Sequence, residues 1–194
     1  MTEEGERETK REEKVYMHPL DKFDFCPMCG SRHFEVNNEK SRRCDNCGFV
    51  YYMNPSAATA AFIMNAKGEL LVERRGKEPA KGALDLPGGF VDMDETAEQG
   101  LRREIMEETG IEIETEAMEY LFSLPNIYRY SGIDIRTLDL FYLIRVGADV
   151  EARADDDAAE CMWLPTDGIH TEQFGLRSIR AALRMFLDGR AKKL

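Results

Sequence analysis

The chain has 194 residues, 43% of them hydrophobic and 32% charged, a composition typical of a soluble globular protein with one ordinary domain and a small additional one. The formal net charge of −11 argues against nonspecific affinity for the nucleic-acid backbone, which requires a basic surface. Bound divalent cations would still allow an acidic chain to hold a phosphate-bearing ligand.

Residues 1–22 are mostly charged or polar, with Glu, Lys and Arg alternating, so we expect a flexible tail. This segment lacks the apolar core of a signal peptide. The longest mostly apolar stretch, residues 57–64, is too short to cross a bilayer. These features predict a cytoplasmic protein that does not interact with membranes.

Residues 23–55 contain four of the five cysteines, as two C-x-x-C pairs separated by 14 residues: Cys26, Cys29, Cys44 and Cys47. Tetrahedral Zn²⁺ binds four thiolates, and each pair supplies two of them from one tight turn. A disulfide pair and a redox motif are the alternatives, but the missing export signal favours metal. The spacing therefore predicts a small zinc ribbon with a structural Zn²⁺, since four thiolates leave no position for water.

The predicted ribbon is locally basic because of four residues: Arg32, Lys40, Arg42 and Arg43. Nucleic-acid binding by the ribbon is therefore an alternative that stays open. Basic runs are more often solvated surface, so we expect no nucleic-acid partner. His33 is interpreted as a surface residue, and the fifth cysteine, Cys161, as a buried core thiol near Trp163.

The remaining segments alternate between strand and helix patterns. Residues 59–64 and 70–72 are apolar and flank a turn-like segment at 65–68, which predicts a β-hairpin. Further strands are predicted at 111–123 and 137–146, and an amphipathic helix at 178–187. Interleaved strands and helices predict an α/β or α+β domain.

A helix between these strands has clear start and stop signals. Thr96 can cap it, Gln99 completes a capping box three residues later, and Gly110 follows its end.

The same helix carries three acidic residues on one side: Glu104, Glu107 and Glu108. At about 100° per residue, they fall within an arc of about 100°. Clustered carboxylates repel each other, and Mg²⁺ relieves this repulsion because it prefers oxygen ligands. An exposed acidic helix without metal is the alternative.

The segment from Gly89 to Ile111 reads GFVDMDETAEQGLRREIMEETGI and resembles the signature of the Nudix hydrolase family. It matches every fixed position of that signature: Gly89, Glu95, Arg103, Glu104, Ile105, Glu107, Glu108, Gly110 and Ile111. The resemblance covers residues 56–194 and implies an α/β/α sandwich with a mixed sheet. It also implies hydrolysis of a nucleoside diphosphate linked to another group.

The resemblance implies a role for each site residue. Glu104, Glu107 and Glu108 would ligate Mg²⁺ or Mn²⁺. Three further implied roles belong to residues around them: the Gly89 carbonyl as an additional ligand, an Arg103–Glu95 pair as a brace, and Glu160, before Trp163, as an acid that reaches the metal. A solvated position at a strand edge is the alternative for Glu160.

A four-cysteine ribbon before a Nudix domain is similar to the architecture of NADH diphosphatases, although the Ser-Gln-Pro-Trp-Pro-Phe-Pro run of those enzymes is missing. Pro125, 15 residues after Gly110, resembles ADP-ribose diphosphatases instead. Phe122, Tyr128 and Tyr130 are candidates for stacking on a base, with burial in the core as the alternative. The resemblance also implies a homodimer.

Three classes of function remain. The leading one is hydrolysis of ADP-ribose or a dinucleotide such as NADH, with release of a nucleoside monophosphate. The second is hydrolysis of damaged nucleoside triphosphates such as 8-oxo-dGTP. The third is nucleotide sensing or nucleic-acid binding without catalysis, against which the complete glutamate set argues.

Overall fold

A computed structural model describes residues 18–130 and 132–189. The chain divides into two compact units, Met1–Met53 and Asn54–Leu194. Most of the predicted tail, residues 1–17, lies outside the described residues. Within the described ranges, we find no helix with the length and hydropathy needed to span a membrane.

The first unit contains a three-stranded antiparallel sheet in the order β1-β2-β3: Phe34–Asn38, Ser41–Cys44 and Val50–Tyr52. Its small core consists of the buried side chains of Phe34, Cys26 and Cys44. Such a small apolar core favours additional stabilisation by a metal or disulfides.

The second unit contains a six-stranded sheet and two helices. Its elements are β4 (Ser56–Met64), β5 (Glu69–Arg75), β6 (Leu84–Asp85), α1 (Ala97–Thr109), β7 (Met118–Tyr130), β8 (Ile133–Arg145), β9 (Ala158–Pro165) and α2 (Arg177–Leu187). The strand order is β6-β5-β4-β8-β7, and β9 also pairs with β5. Strands β4 and β8 are parallel, whereas the other pairs are antiparallel, so the sheet is mixed as predicted.

The helices cover opposite faces of the sheet. On β4, Phe62 belongs to the core that contains Leu183 of α2, whereas Ile63 belongs to the core that contains Leu101 of α1. Successive residues of a strand point to opposite faces, so one apolar strand supplies both cores. This arrangement confirms the predicted mixed α/β fold with helices on both sides.

Three predicted elements agree closely with the structure. The hairpin β4–β5 turns at 65–68, where the Gly68 N–H donates to the Asn65 carbonyl at 3.1 Å. Helix α1 occupies Ala97–Thr109 and helix α2 occupies Arg177–Leu187. Their apolar stripes face the sheet, which is the physical reason that helical spacing predicted them.

The strand prediction at 111–123 was wrong at its start. Ile111 and Ile113 bury their side chains in the α1-side core from irregular backbone, and a short 3₁₀ turn at Thr115–Ala117 precedes β7. An alternating apolar pattern indicates that every second side chain is buried, and irregular backbone can bury side chains at this spacing as well. Strand β9 was not predicted, because its residues Glu160 and Cys161 interrupt any simple alternation.

Candidate active site

The acidic helix α1 begins and ends where local hydrogen bonds satisfy its terminal backbone groups. At its start, the Thr96 hydroxyl accepts from the Gln99 N–H at 3.2 Å, and the Gln99 side chain accepts from the Thr96 N–H at 2.8 Å. At its end, Gly110 is left-handed (φ 68°) and its N–H donates to the Met106 carbonyl at 3.0 Å. The predicted capping box and glycine stop are therefore confirmed.

The three glutamates of α1 differ in exposure. Glu108 is buried and accepts a hydrogen bond from the Gly88 N–H at 2.9 Å. The Glu104 side chain is 17% exposed and, like Glu108, lines a pocket beside α1. The Glu107 side chain is 46% exposed and is not among the described residues that line this pocket. Burial disfavours the ionised form, so it raises the pKa of Glu108 to about 10 and the pKa of Glu104 above its ordinary value.

Arg103 connects the carboxylates of this region. Its guanidinium donates two hydrogen bonds to Glu95, at 2.9 and 3.0 Å, and one to the Phe90 carbonyl at 3.0 Å. It also donates to Glu104 at 2.9 Å and to Glu107 at 3.2 Å. These bonds, with those to Glu95 first, raise the pKa of Arg103 above its ordinary value. Arg103 thus holds the preceding loop against the helix and balances part of the negative charge.

Two glycines allow this loop to lie against β4 and α1. Gly88 has φ 142°, and a Cβ at this position would lie 2.2 Å from the Thr59 carbonyl oxygen. A Cβ at Gly89 would lie 2.5 Å from the carboxyl group of Glu104. The Gly89 carbonyl accepts from the Thr59 N–H at 2.8 Å. The Gly89 backbone therefore lies directly against the Glu104 carboxylate.

A further buried carboxylate, Glu73 of β5, was missed by sequence analysis. It is 3% exposed and lines the same pocket as Glu104 and Glu108. Its Oε2 has no hydrogen-bond partner among the described residues. Burial first, and then the nearby charge of Asp85, raise the pKa of Glu73 to about 8. The available signal was a glutamate inside the apolar sequence of β5.

These carboxylates suit a hard divalent cation such as Mg²⁺ or Mn²⁺. Buried carboxyls that repel each other, and the unpartnered Oε2 of Glu73, are features that a cation would relieve. Within the described ranges, however, only the cysteines bring three or more potential ligand atoms within 4.8 Å of one another. Because Arg103 holds Glu104 and Glu107, the glutamate oxygens have to move together before they can share one ion.

The pocket beside these carboxylates has a volume of about 250 Å³. That volume is below the roughly 300–1,000 Å³ of sites that enclose a drug-sized ligand, so it suits part of a dinucleotide. Its wall includes the ion pair of the half-buried Arg75 and the buried Asp85, whose atoms are 2.6 Å apart. Phe90 and Tyr128 also line it, with ring centroids 5.7 Å apart in an edge-to-face arrangement.

The three aromatic residues predicted to stack on a base lie in different environments. Tyr128 lines the pocket, and so does Phe90, which sequence analysis missed. The stacking prediction for Phe122 needs correction, because this side chain is 3% exposed and packs on Phe141 in the core. Tyr130 is exposed at the end of β7, outside the described lining of the pocket.

The predicted role of Glu160 also needs correction. Its side chain is 55% exposed and accepts from the guanidinium of Arg74 at 3.0 Å, because the two residues face each other on β9 and β5. Glu160 is not part of the described pocket lining. The acid of this region that does line the pocket is Asp157, which forms an ion pair with Lys77.

The four cysteines of the first unit lie close together and are not bonded to one another. The Sγ atoms of Cys26 and Cys47 are 3.8 Å apart, and those of Cys29 and Cys44 are 3.7 Å apart. Hydrogen bonds, first from the Ser31 backbone, lower the pKa of Cys29 to about 6.

The pKa of Cys47 moves in the opposite direction. The Phe49 backbone N–H lowers it, but burial and hydrogen bonds with the other thiols together raise it to about 12. Four adjacent thiols cannot all ionise without a cation, because their negative charges repel each other. A bound Zn²⁺ would stabilise all four thiolates. The chemistry of this cluster therefore fits a zinc ion.

Cys161 lies apart from this cluster. Its thiol donates to the Glu108 carbonyl at 3.6 Å, and its side chain packs in the α1-side core together with Trp163. Burial raises the pKa of Cys161 to about 12, so the thiol stays protonated.

Comparison with known proteins identifies the larger unit. The family model described as NUDIX domain matches residues 53–183. Two proteins named "NAD-capped RNA hydrolase NudC" are similar to this chain. The one from Vibrio vulnificus is 31% identical over 98 residues, which are 50% of this chain and 37% of that protein. The one from Haemophilus influenzae (strain PittGG) is 32% identical over 111 residues, which are 56% of this chain and 40% of that protein.

Among solved structures, a MutT NUDIX hydrolase from Burkholderia pseudomallei is similar, with 28% identity and a TM-score of 0.57. The match covers 68% of this chain and 97% of that chain. The alignments with the two NudC proteins, by contrast, span well under half of the length of those relatives.

Proposed function

The chain belongs to the Nudix hydrolase family, since the domain model matches residues 53–183, and we propose that it hydrolyses a diphosphate bond with the help of a divalent cation. ADP-ribose and dinucleotides such as NADH are the favoured substrates, and a nucleoside monophosphate is released. The names of the two NudC relatives support this choice, because NAD is a dinucleotide joined by a diphosphate.

The observation that carries the proposal is a pocket lined by three carboxylates that are buried or nearly so: Glu73, Glu104 and Glu108. Without a cation, these carboxyls ionise only at a cost, and in their ionised form they would repel a diphosphate. The proposed ligands of Mg²⁺ (or Mn²⁺) are Glu104, Glu107 and Glu108, with the Gly89 carbonyl. When bound, the cation neutralises phosphate oxygens and activates water for in-line displacement at phosphorus.

The protein groups around this site position the reacting parts. Glu95 holds the guanidinium of Arg103 through two hydrogen bonds, and Arg103 in turn holds Glu104 and Glu107. The Gly88 N–H fixes one oxygen of Glu108. These hydrogen bonds hold the carboxylates beside the pocket, and Glu104 and Glu107 would exchange their contacts with Arg103 for contacts with the ion.

Product analysis tests the reaction. With NADH, ADP-ribose and nucleoside triphosphates as a panel, we expect ADP-ribose or NADH to have the highest kcat/KM. Hydrolysis in ¹⁸O-water should place the label on a product phosphate, because water attacks phosphorus. Label on the ribose carbon would mean glycosidic cleavage and would refute the proposal. A kcat/KM for 8-oxo-dGTP that is roughly tenfold or more above every dinucleotide would favour the triphosphate alternative.

Substitution of the glutamates tests their roles. Glu104→Gln and Glu107→Gln should each lower kcat by roughly 10²-fold or more while the fold persists, since an amide is a poorer metal ligand. Glu112→Gln is the matched control, because Glu112 is exposed just beyond α1 and pairs loosely with Arg102. Near-normal turnover in both active-site variants would contradict the proposed ligand set.

Three further properties belong to the proposal. The cysteine cluster holds a structural Zn²⁺, and reduced cysteines suited to metal are typical of the cytoplasm. Two copies of the chain form a homodimer, as the family resemblance implies. Light scattering should therefore give about twice the chain mass of 22.2 kDa, and a monomer mass at working concentration would contradict the dimer.

A further inference from the structure

The pocket contains a second polar group that the proposed hydrolysis does not use. Its members are Asn126, Thr137, Asp139 and Ser178, called here the Asp139 group. Asp139 of β8 is buried, and its carboxylate accepts from the Asn126 amide at 3.0 Å and from the Thr137 hydroxyl at 2.5 Å. These contacts hold the carboxylate in a fixed position on the pocket wall.

The Asp139 group lies where the sheet face under α2 changes from apolar to polar. Residues 141, 139 and 137 of β8 point to the same face, because strand residues alternate. Phe141 belongs to the core beneath α2, whereas Asp139 and Thr137 line the pocket beside the start of that helix. The fold therefore places buried polar groups at a position where apolar side chains would extend the core.

The charge of Asp139 lacks a compensating cation among the described ion pairs. Asp85, in the same pocket, is paired with Arg75 at 2.6 Å, whereas the hydrogen bonds of Asp139 come from two neutral groups. A buried carboxylate supported only by neutral donors is costly. It has about four lone-pair positions, so it can accept further N–H donors from a ligand.

Ser178 provides an independent observation. Its side chain is buried and lines the pocket, and its Oγ has no hydrogen-bond partner among the described residues. Ser178 lies in the first turn of α2, which has no side-chain cap. An unpartnered buried hydroxyl calls for an explanation, and a ligand acceptor atom would satisfy it.

The side chains around the Asp139 group suit a flat ring. Phe90 and Tyr128 supply aromatic surface, and Leu176 and Ile179 supply aliphatic surface on the same pocket. A planar heterocycle can stack on such surfaces while its polar edge reaches the carboxylate and the hydroxyl.

We propose that the Asp139 group binds the base of the substrate through an edge that carries an –NH₂ beside an acceptor atom. Asp139 accepts from the –NH₂, and the Ser178 hydroxyl donates to the neighbouring acceptor. Adenine presents such an edge through its 6-amino group and N1, and nicotinamide presents one through its carboxamide. The inference rests on the proposed function and adds the residues that determine base specificity.

Two analogues of NADH test the proposal and distinguish the two bases. The hypoxanthine analogue replaces the adenine amino group with an oxygen, and the nicotinic acid analogue replaces the carboxamide with a carboxylate. The hypoxanthine analogue would place a carbonyl oxygen against Asp139, and the nicotinic acid analogue would place a negatively charged carboxylate oxygen there. We expect the kcat/KM of one analogue to fall by roughly tenfold or more relative to NADH, since an unpaired or repelled buried polar group costs this much.

The Asp139→Asn variant should reduce the difference in kcat/KM between NADH and the poorer analogue, because the asparagine amide can donate a hydrogen bond to the analogue oxygen. Asn126 can turn its own amide and keep its hydrogen bond to residue 139. Asp134→Asn is the matched control on the same strand, since Asp134 is exposed and pairs with Arg129 at 2.8 Å. Equal kcat/KM for NADH and both analogues in the wild type would overturn the proposal.

Ser178→Ala gives a second test that does not depend on the folding of the Asp139 variant. It should raise the KM for NADH by about fivefold or more with little change in kcat, since a hydrogen bond to the bound base is lost. Its Tm should stay the same or rise, because an unpartnered buried hydroxyl is removed. An unchanged KM would overturn the proposal.

A failure of the proposed function is distinguishable from a failure of this inference. If no diphosphate is hydrolysed, the proposed function fails, and calorimetric binding of NADH and its two analogues decides the inference separately. Weaker binding of one analogue supports it, whereas equal binding of all three contradicts it.

Discussion

Replacement of Gly89 by alanine tests whether the loop before α1 sets the position of Glu104. A Cβ at position 89 would lie 2.5 Å from both Cδ and Oε1 of Glu104, whereas ordinary contacts begin near 3.4 Å. The carboxyl group, or the loop, must therefore retreat by roughly 1 Å. Gly89 is outside the left-handed region of backbone conformation, so the clash is the source of the effect and not backbone strain.

A displacement of about 1 Å at a catalytic group can lower the rate by roughly 10²-fold. We expect Gly89→Ala to lower kcat/KM for ADP-ribose by about this factor at saturating Mg²⁺. The fold should persist, because the clashing atoms are the end of a flexible side chain. Steady-state hydrolysis and a thermal melt measure the two effects.

Gly168→Ala is the control for this experiment, since a Cβ at Gly168 would meet open space. It should leave both kcat/KM and Tm close to their wild-type values. The reasoning is refuted if Gly89→Ala keeps kcat/KM within about threefold of the wild type, which would mean that Glu104 tolerates the displacement.

Three further predictions follow from the caps, the cysteines and the buried carboxyls. Elemental analysis should find about one Zn²⁺ per chain and none in Cys44→Ser, whereas zinc-free protein without free thiols would indicate disulfides. Thr96→Ala removes the hydroxyl that accepts from the Gln99 N–H, so it should lower the unfolding free energy by about 1 kcal/mol and Tm by roughly 2–4 °C in a thermal melt. The pKa of Glu73 is raised from 4.5 to about 8, so the folded state keeps a proton that the unfolded state has lost. Stability of the Mg²⁺-free protein should therefore fall as pH rises from about 4.5 to about 8. Glu73→Gln should make this decrease less steep without abolishing it, because the pKa of Glu108 is raised as well, and a flat wild-type profile would contradict the prediction.

The elements predicted best from sequence are those that local chemistry determines. Helix α1 has a capping box, a glycine stop and an apolar stripe, and each of these acts within a few residues. The cysteine pairs likewise lie in tight turns, so their spacing was enough to predict that four sulfurs meet. Long-range pairing is different, because no local signal shows that β9 pairs with β5.

Side-chain roles were predicted less well where burial depends on the whole sheet. Phe122 and Tyr128 lie on the same strand, yet one packs in the core and the other lines the pocket. The difference arises because α2 covers only part of that face of the sheet. The start of α2 is distant from β7 in the sequence, so the sequence of β7 alone does not indicate which of its side chains the helix covers. Glu73 was missed for a related reason, since the sequence of β5 does not indicate which parts of the chain bury this side chain.

The charges of the pocket imply that metal and substrate bind cooperatively in the proposed reaction. Glu73, Glu104 and Glu108 line the pocket, and the guanidinium of Arg103 is already shared among carboxylates. A diphosphate entering without a cation would meet carboxyl groups that repel it when they ionise, and a cation entering alone would lack the phosphate oxygens as ligands. Each ligand therefore raises the affinity of the other by the same factor, as linkage requires. A strongly acidic chain can in this way select an anionic substrate, because a bound cation offsets the negative charge of the carboxylates and presents its own positive charge to the phosphate oxygens.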